Sequence, residues 1–225
     1  VRVLQSAKNR PSPIDGYFGA VYYIGPIFTA FRGTPEASQF YSLLRQEIDE
    51  RVRLGKGPIT PDGEMGEEKY RLVTEGPPNW TSFRDFWKMF YDEGAVVVAS
   101  TYSKVGGLYD FGFRHDADNP LESLADYCLG CYTNLNLPSR IDMICKYIDE
   151  YQADGLLINS IKSCNSFSAG QLLILREVEK RTGKPAAFIE TDLVDPRYFS
   201  AANVKNRLES YFQMIKQKRA AGAAH

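Results

Sequence analysis

Histidine and cysteine are scarce in this chain, and their scarcity removes several chemistries at once. Among 225 residues there are two histidines, His115 and the terminal His225, and four cysteines, Cys128, Cys131, Cys145 and Cys164. So few histidines leave no defensible Ser-His-Asp arrangement. Cys128-Leu-Gly-Cys131 is a CxxC without a second CxxC or a Cys-His pair, so a four-ligand structural zinc site is not supplied. Neither GxGxxG nor GxxxxGK followed by Ser or Thr occurs, which argues against ATP, NAD or FAD binding by the chain itself. An excess of charge is missing too: 27 basic residues stand against 28 acidic ones, a net charge of −1. No long-range field therefore draws the protein to nucleic acid or to an anionic membrane, and partners must be recognised locally. The longest uncharged run, residues 16–31, is shorter than the roughly 20 apolar residues of a membrane helix. It is also broken by Gly19, Gly25 and Pro26, and it reads as buried protein interior. Free thiols without a signal-type N-terminus suit a reducing, cytoplasmic compartment.

What is present is a globular composition, 44% hydrophobic and 13% aromatic, enough for one substantial core or two small ones. Residues 1–10 look like the end of a basic helix without a cap, as though the chain began inside an element. Thr34-Pro35-Glu36 is a helix start with a capping hydroxyl, proline in the first turn and a carboxylate at the positive end of the dipole. Phe40, Leu44, Ile48 and Val52 repeat at helical spacing up to Gly55. Residues 56–69, rich in Gly, Pro and charge, read as a linker. This divides the chain into a helical segment and linker over 1–69, the remnant of an interdomain region, an α/β domain over 70–219, and a tail over 220–225.

From residue 70 the elements alternate. Strands are expected over 71–75, 95–101, 155–159 and 186–190, and helices over 82–91, 139–151, 169–181 and 200–218. Uniformly apolar strands alternating with helices predict a doubly wound parallel sheet of Rossmann or flavodoxin type, covered on both faces. In such sheets ligands bind beyond the carboxyl ends of the strands. Four segments follow from that: 76–80, 101–107, 159–168 and 190–197.

Segment 159–168 leaves a strand and enters a helix, which places Cys164 near a helix N-terminus where a thiolate is favoured. A buried thiol acting as a small apolar side chain is the bland alternative. Cys131, followed by a loop, is the more promising member of the CxxC; zinc, redox pairing and accident all fit that motif, and Cys145 reads as core. Glu190 ends an apolar strand and needs a partner or a task, which makes it the candidate acid or base. Asp192 and Asp195 read as turn and capping residues. Gly106-Gly107 after Lys104 could admit a phosphate but most often marks a turn, and Pro77-Pro78-Asn79-Trp80 with Tyr102 places rings where a flat substrate could stack.

The stretches EGPPNWTSFRDFWKMFYDEGAVVVAS, YDFGFRH, YCLGCYTNLNLPSR, GLLINSIKSCNSFSAGQ and FIETDLVDPRYFSAANVKNRLESYF carry a family resemblance. The chain resembles the C-terminal part of a catalytic subunit in the 2-hydroxyacyl-CoA dehydratase and benzoyl-CoA reductase family. The resemblance implies 4Fe-4S iron–sulfur chemistry in a cleft between two α/β domains, with Cys164 carried over as a cluster ligand and other ligands from an N-terminal domain. It also implies a separate ATP-hydrolysing activator, and a hetero-oligomer is expected through the uncharged residues 16–31 or their neighbours. The reaction implied is reduction of the aromatic ring of benzoyl-CoA to a cyclic dienoyl-CoA. Dehydration of a 2-hydroxyacyl-CoA is the alternative, and a truncated, inactive interaction domain is a further one.

Overall fold

The computed structural model describes residues 2–16, 33–60, 62–104 and 113–222. The uncharged run beyond Gly16 and the Gly106-Gly107 pair lie outside the described residues.

A short helix α1, Arg2–Gln5, runs into a 3-10 turn, and helix α2, Pro35–Leu54, follows. α2 begins as its sequence dictates. The Thr34 hydroxyl accepts from the Ala37 N–H, and Gly55 closes the helix in the left-handed conformation at φ 64°. Residues 56–69 contain a two-stranded hairpin of β1, Ile59–Thr60, and β2, Gly63–Glu64.

The α/β unit is built on strands β3 (Tyr70–Glu75), β4 (Ala95–Ser100), β5 (Gly155–Ile161) and β6 (Ala186–Thr191). Among the described residues these form a parallel sheet in the order β4-β3-β5-β6. This is a doubly wound α/β fold, as the alternation predicts. The crossovers are α3, Phe83–Asp92; α4, Pro120–Leu129, with α5, Leu137–Glu150; and α6, Asn165–Ser168, with α7, Gln171–Thr182. Helix α8, Ala201–Gly222, ends the described chain.

Alternate residues of the strands feed two cores. On one face Val73, Val96, Val98, Leu156 and Ile158 meet Ile144, Ile148, Ile174 and Val178 of α5 and α7. On the other, Leu72, Val97, Leu157 and Ile189 meet Phe86, Trp87 and Phe90 of α3 and Leu208, Tyr211 and Phe212 of α8. Each of these large side chains contributes about 2–3 kcal/mol by leaving water.

Two expectations about boundaries are corrected. β5 runs two residues further than 155–159, because Ser160 and Ile161 continue the pairing with Glu190 and Thr191 of β6. The helix expected over 169–181 begins two residues later, at Gln171, since Gly170 sits at φ 81° and its carbonyl starts α7, and the separate short helix α6 precedes it.

The first seventy residues are tied to the sheet by Arg71. This guanidinium is 1% exposed and reaches the carbonyls of Ala7, Asn9 and Tyr151 and the carboxylate of Glu68. The Asp15 carboxylate accepts from the Val97 N–H at 2.9 Å, so residues 14–16 lie along the outer margin of β4.

Gly76 follows β3 at φ 102°, and a Cβ there would stand 2.1 Å from the carbonyl oxygen of Asn159. Both the backbone angle and the close approach exclude a side chain. Gly76→Ala should therefore lower unfolding stability by at least about 3 kcal/mol, read from the urea midpoint at unchanged m-value.

Candidate functional site

After β3 the chain moves outward to β4 and then crosses to β5 on the opposite side, so the carboxyl ends of β3 and β5 part at a topological switch point. Loop 76–80 borders one side of this crevice and turn 162–168 the other. The Asn159 amide donates to the Pro77 carbonyl at 2.7 Å and its oxygen accepts from the Thr191 hydroxyl at 2.8 Å, which locks the ends of three strands together.

The last residue of β3 is a carboxylate with no exposure to solvent, Glu75. Its Oε1 accepts from the Arg140 guanidinium at 2.8 Å and from the Tyr132 hydroxyl at 3.0 Å, while its Oε2 accepts from the Gln171 amide. Burial raises the Glu75 carboxyl above the ordinary carboxylate range, against the opposing pull of Arg140, Gln171 and Tyr132. Arg140 goes on to the carbonyls of Ser166, Phe167 and Ala169, and its guanidinium lies 4.7 Å from the centre of the Tyr132 ring. Tyr132 stacks on Phe167 at 5.8 Å.

This cluster adjoins both candidate thiols. Cys164 is the N-cap of α6, on the turn after β5 where the strand-to-helix reading puts it, half-buried and free. Its thiol accepts no hydrogen bond from the helix N–H groups, while its carbonyl accepts from Phe167 and Ser168. Cys131 immediately precedes Tyr132, points its thiol at the Tyr127 carbonyl, and is pushed toward the neutral form by burial and by Cys128. Cys128 is exposed, and Cys145 packs half-buried against the core as expected.

Glu190 lies on β6, half-exposed, with Lys162 at 3.6 Å as its partner. It lines a recess with Arg197, Tyr198 and Arg207 at the sheet margin. Asp192 accepts from the N–H groups of Ser163, Val194 and Asp195, which hold its carboxyl below the usual range, and Asp195 caps the turn at Arg197: both are the turn residues anticipated. On the β3 side Trp80, 47% exposed, stacks on Phe83 at 5.2 Å and meets Tyr102 edge-on at 6.3 Å. Asn79 beside it is fully buried, and neither polar atom of its amide has a hydrogen-bond partner among the described residues.

Sequence reasoning misses Glu75, Arg140, Gln171 and Tyr132, and names Asn79 only as part of loop 76–80. One signal points to the first of them: the significance given to a carboxylate closing an apolar strand at Glu190 applies equally to Glu75.

Residues 1–215 match the family described as 2-hydroxyglutaryl-CoA dehydratase, D-component. The chain belongs to this family. One benzoyl-CoA reductase subunit, from Thauera aromatica, is 80% identical over 97% of the chain. The alpha subunits of (R)-2-hydroxyisocaproyl-CoA dehydratase of Clostridioides difficile and (R)-phenyllactyl-CoA dehydratase of Clostridium sporogenes are 28% and 26% identical over 95% and 98% of it. The chain spans about half the length of these relatives, 51%, 49% and 51% respectively.

In this dehydratase-family chain the fit to an iron–sulfur cluster is partial. Cys164 offers a half-buried thiol at the carboxyl edge of the sheet, but among the described residues no three Cys, His, Asp or Glu side chains converge as a metal site. A complete ligand set does not come from these residues alone.

Arg140→Met should cost about 3–5 kcal/mol, because it leaves the buried Glu75 carboxylate without its cationic partner. Pairing it with Glu75→Leu should recover much of that loss in a double-mutant cycle followed by urea unfolding. The loss in Arg140→Met should also depend on pH. A carboxyl whose folded pKa lies above its unfolded value contributes stability at low pH that disappears as pH rises through the folded value. The penalty should accordingly be larger at about pH 8 than at about pH 5.

Proposed function

We propose that this chain is part of an iron–sulfur catalytic subunit that reduces the aromatic ring of benzoyl-CoA to a cyclic dienoyl-CoA, with electrons from a separate ATP-hydrolysing activator. The observation that carries the reading is the 80% identity to the benzoyl-CoA reductase subunit along 97% of the chain, against 28% and 26% to the dehydratase subunits. The reaction adds two electrons and two protons to the ring. A bound 4Fe-4S cluster supplies electrons one at a time at low potential.

The residues of this chain would hold the parts. Cys164 is the thiolate donor, with Cys131 a second candidate whose burial must first be relieved. Trp80, Phe83 and Tyr102 form an aromatic wall at the carboxyl ends of β3 and β4, and the exposed part of Trp80 offers a flat surface for the acyl ring. An N-terminal domain of the full subunit completes the ligand set, in a reducing cytoplasm that keeps the thiols free.

Two measurements test this. The assembled complex, given ATP and a strong reductant, should turn over benzoyl-CoA; turnover of a 2-hydroxyacyl-CoA alone would overturn the assignment. In the full subunit Cys164→Ser should lose or destabilise the cluster, because a hydroxyl is a poor ligand for iron, while Cys145→Ser keeps it. Iron content and the paramagnetic spectrum of the reduced state distinguish them, and normal iron in Cys164→Ser refutes the ligand role.

A further inference from the structure

We infer that Arg140, anchored by Glu75, is the positioning residue for the Cys164 thiol. The inference rests on the reading of Cys164 as the functional thiol and adds the device that aims it. Helix α6 is four residues long, too short to hold its own shape through internal hydrogen bonds. Its carbonyl end would be left open. Arg140 closes it, donating to Phe167 at 3.0 Å, Ala169 at 3.3 Å and Ser166 at 3.5 Å. The same guanidinium is held by the 2.8 Å bond to Glu75, which is part of β3 and therefore of the rigid sheet.

Because the thiol receives no hydrogen bond from its own turn, the backbone of that turn sets where it points. The same Oε1 of Glu75 also holds the hydroxyl of Tyr132, whose ring backs Phe167. One carboxylate oxygen thus fixes the turn bearing Cys164 and the loop bearing Cys131. Arg71 with Glu68, near the opposite end of β3, is a buried pair of the same kind far along the strand from Cys164.

The test is the alkylation rate of Cys164 by iodoacetamide, resolved by peptide mass spectrometry on the full chain. Arg140→Met should raise that rate by about tenfold or more, since a turn stripped of charge-assisted hydrogen bonds opens more readily. Arg71→Met, compared at matched loss of stability, should leave it unchanged. Should Arg140→Met not fold, Arg140→Gln keeps a donor toward Glu75 but cannot span the three carbonyls, and the same rise is expected. A rate within about twofold of the parent, or an equal rise in Arg71→Met, overturns the proposal. Failure of the ligand reading would appear separately, as normal iron in Cys164→Ser, and does not alter these rates.

Discussion

A carboxylate without water is the constraint on which the functional end of this protein depends. Glu75 is carried out of solvent by β3, and a charge in that position is tolerable only if donors surround it. Three elements supply them: the loop before α5 through Tyr132, α5 itself through Arg140, and the start of α7 through Gln171. Satisfying one side chain therefore fixes the relative placement of three segments, and with them the two cysteines on either side. A hydrophobic contact could fill the space without specifying the orientation.

β3 is the axis of the molecule in a wider sense. Its neighbours on both sides are strands, its alternate residues feed opposite cores, and its two polar ends are both buried and both paired. Arg71 draws the first residues of the chain and Glu68 onto the amino end, and Glu75 draws the cysteine-bearing turns onto the carboxyl end. The glycine that follows is the hinge of this arrangement, since only a residue without Cβ lets loop 76–80 turn against Asn159.

The fold was legible where the signal is local. The β-branched run at 95–101, the capped start at Thr34 and the stop at Gly55 each state their structure within a few residues, and the alternation of elements suffices for the parallel sheet. The position of Cys164 was legible for the same reason, as a consequence of strand, turn and helix in sequence. The clamp was not. Tyr132, Arg140 and Gln171 are 57, 65 and 96 residues from Glu75, and each by itself is an ordinary polar position on a helix or loop. Only the strand order brings them to one point. Glu190 shows the converse: the argument from a carboxylate at a strand end was sound, but β6 stands at the margin, where Lys162 and solvent meet the need.

The contact between Asp15 and Val97 bears on how the chain avoids self-association. β4 is the last strand on its side of the described sheet, yet all of its residues are buried. A flat, apolar, β-branched strand with an open row of N–H and C=O groups is a template for pairing with another molecule. At Val97, Asp15 and Gly16 cover that row, with a side-chain carboxylate taking a backbone donor that a second strand would otherwise use. The stretch at Asp15 and Gly16 thus acts as a guard on the sheet margin at that point. During synthesis it emerges before the strand it shields, so the cover is available when the strand leaves the ribosome.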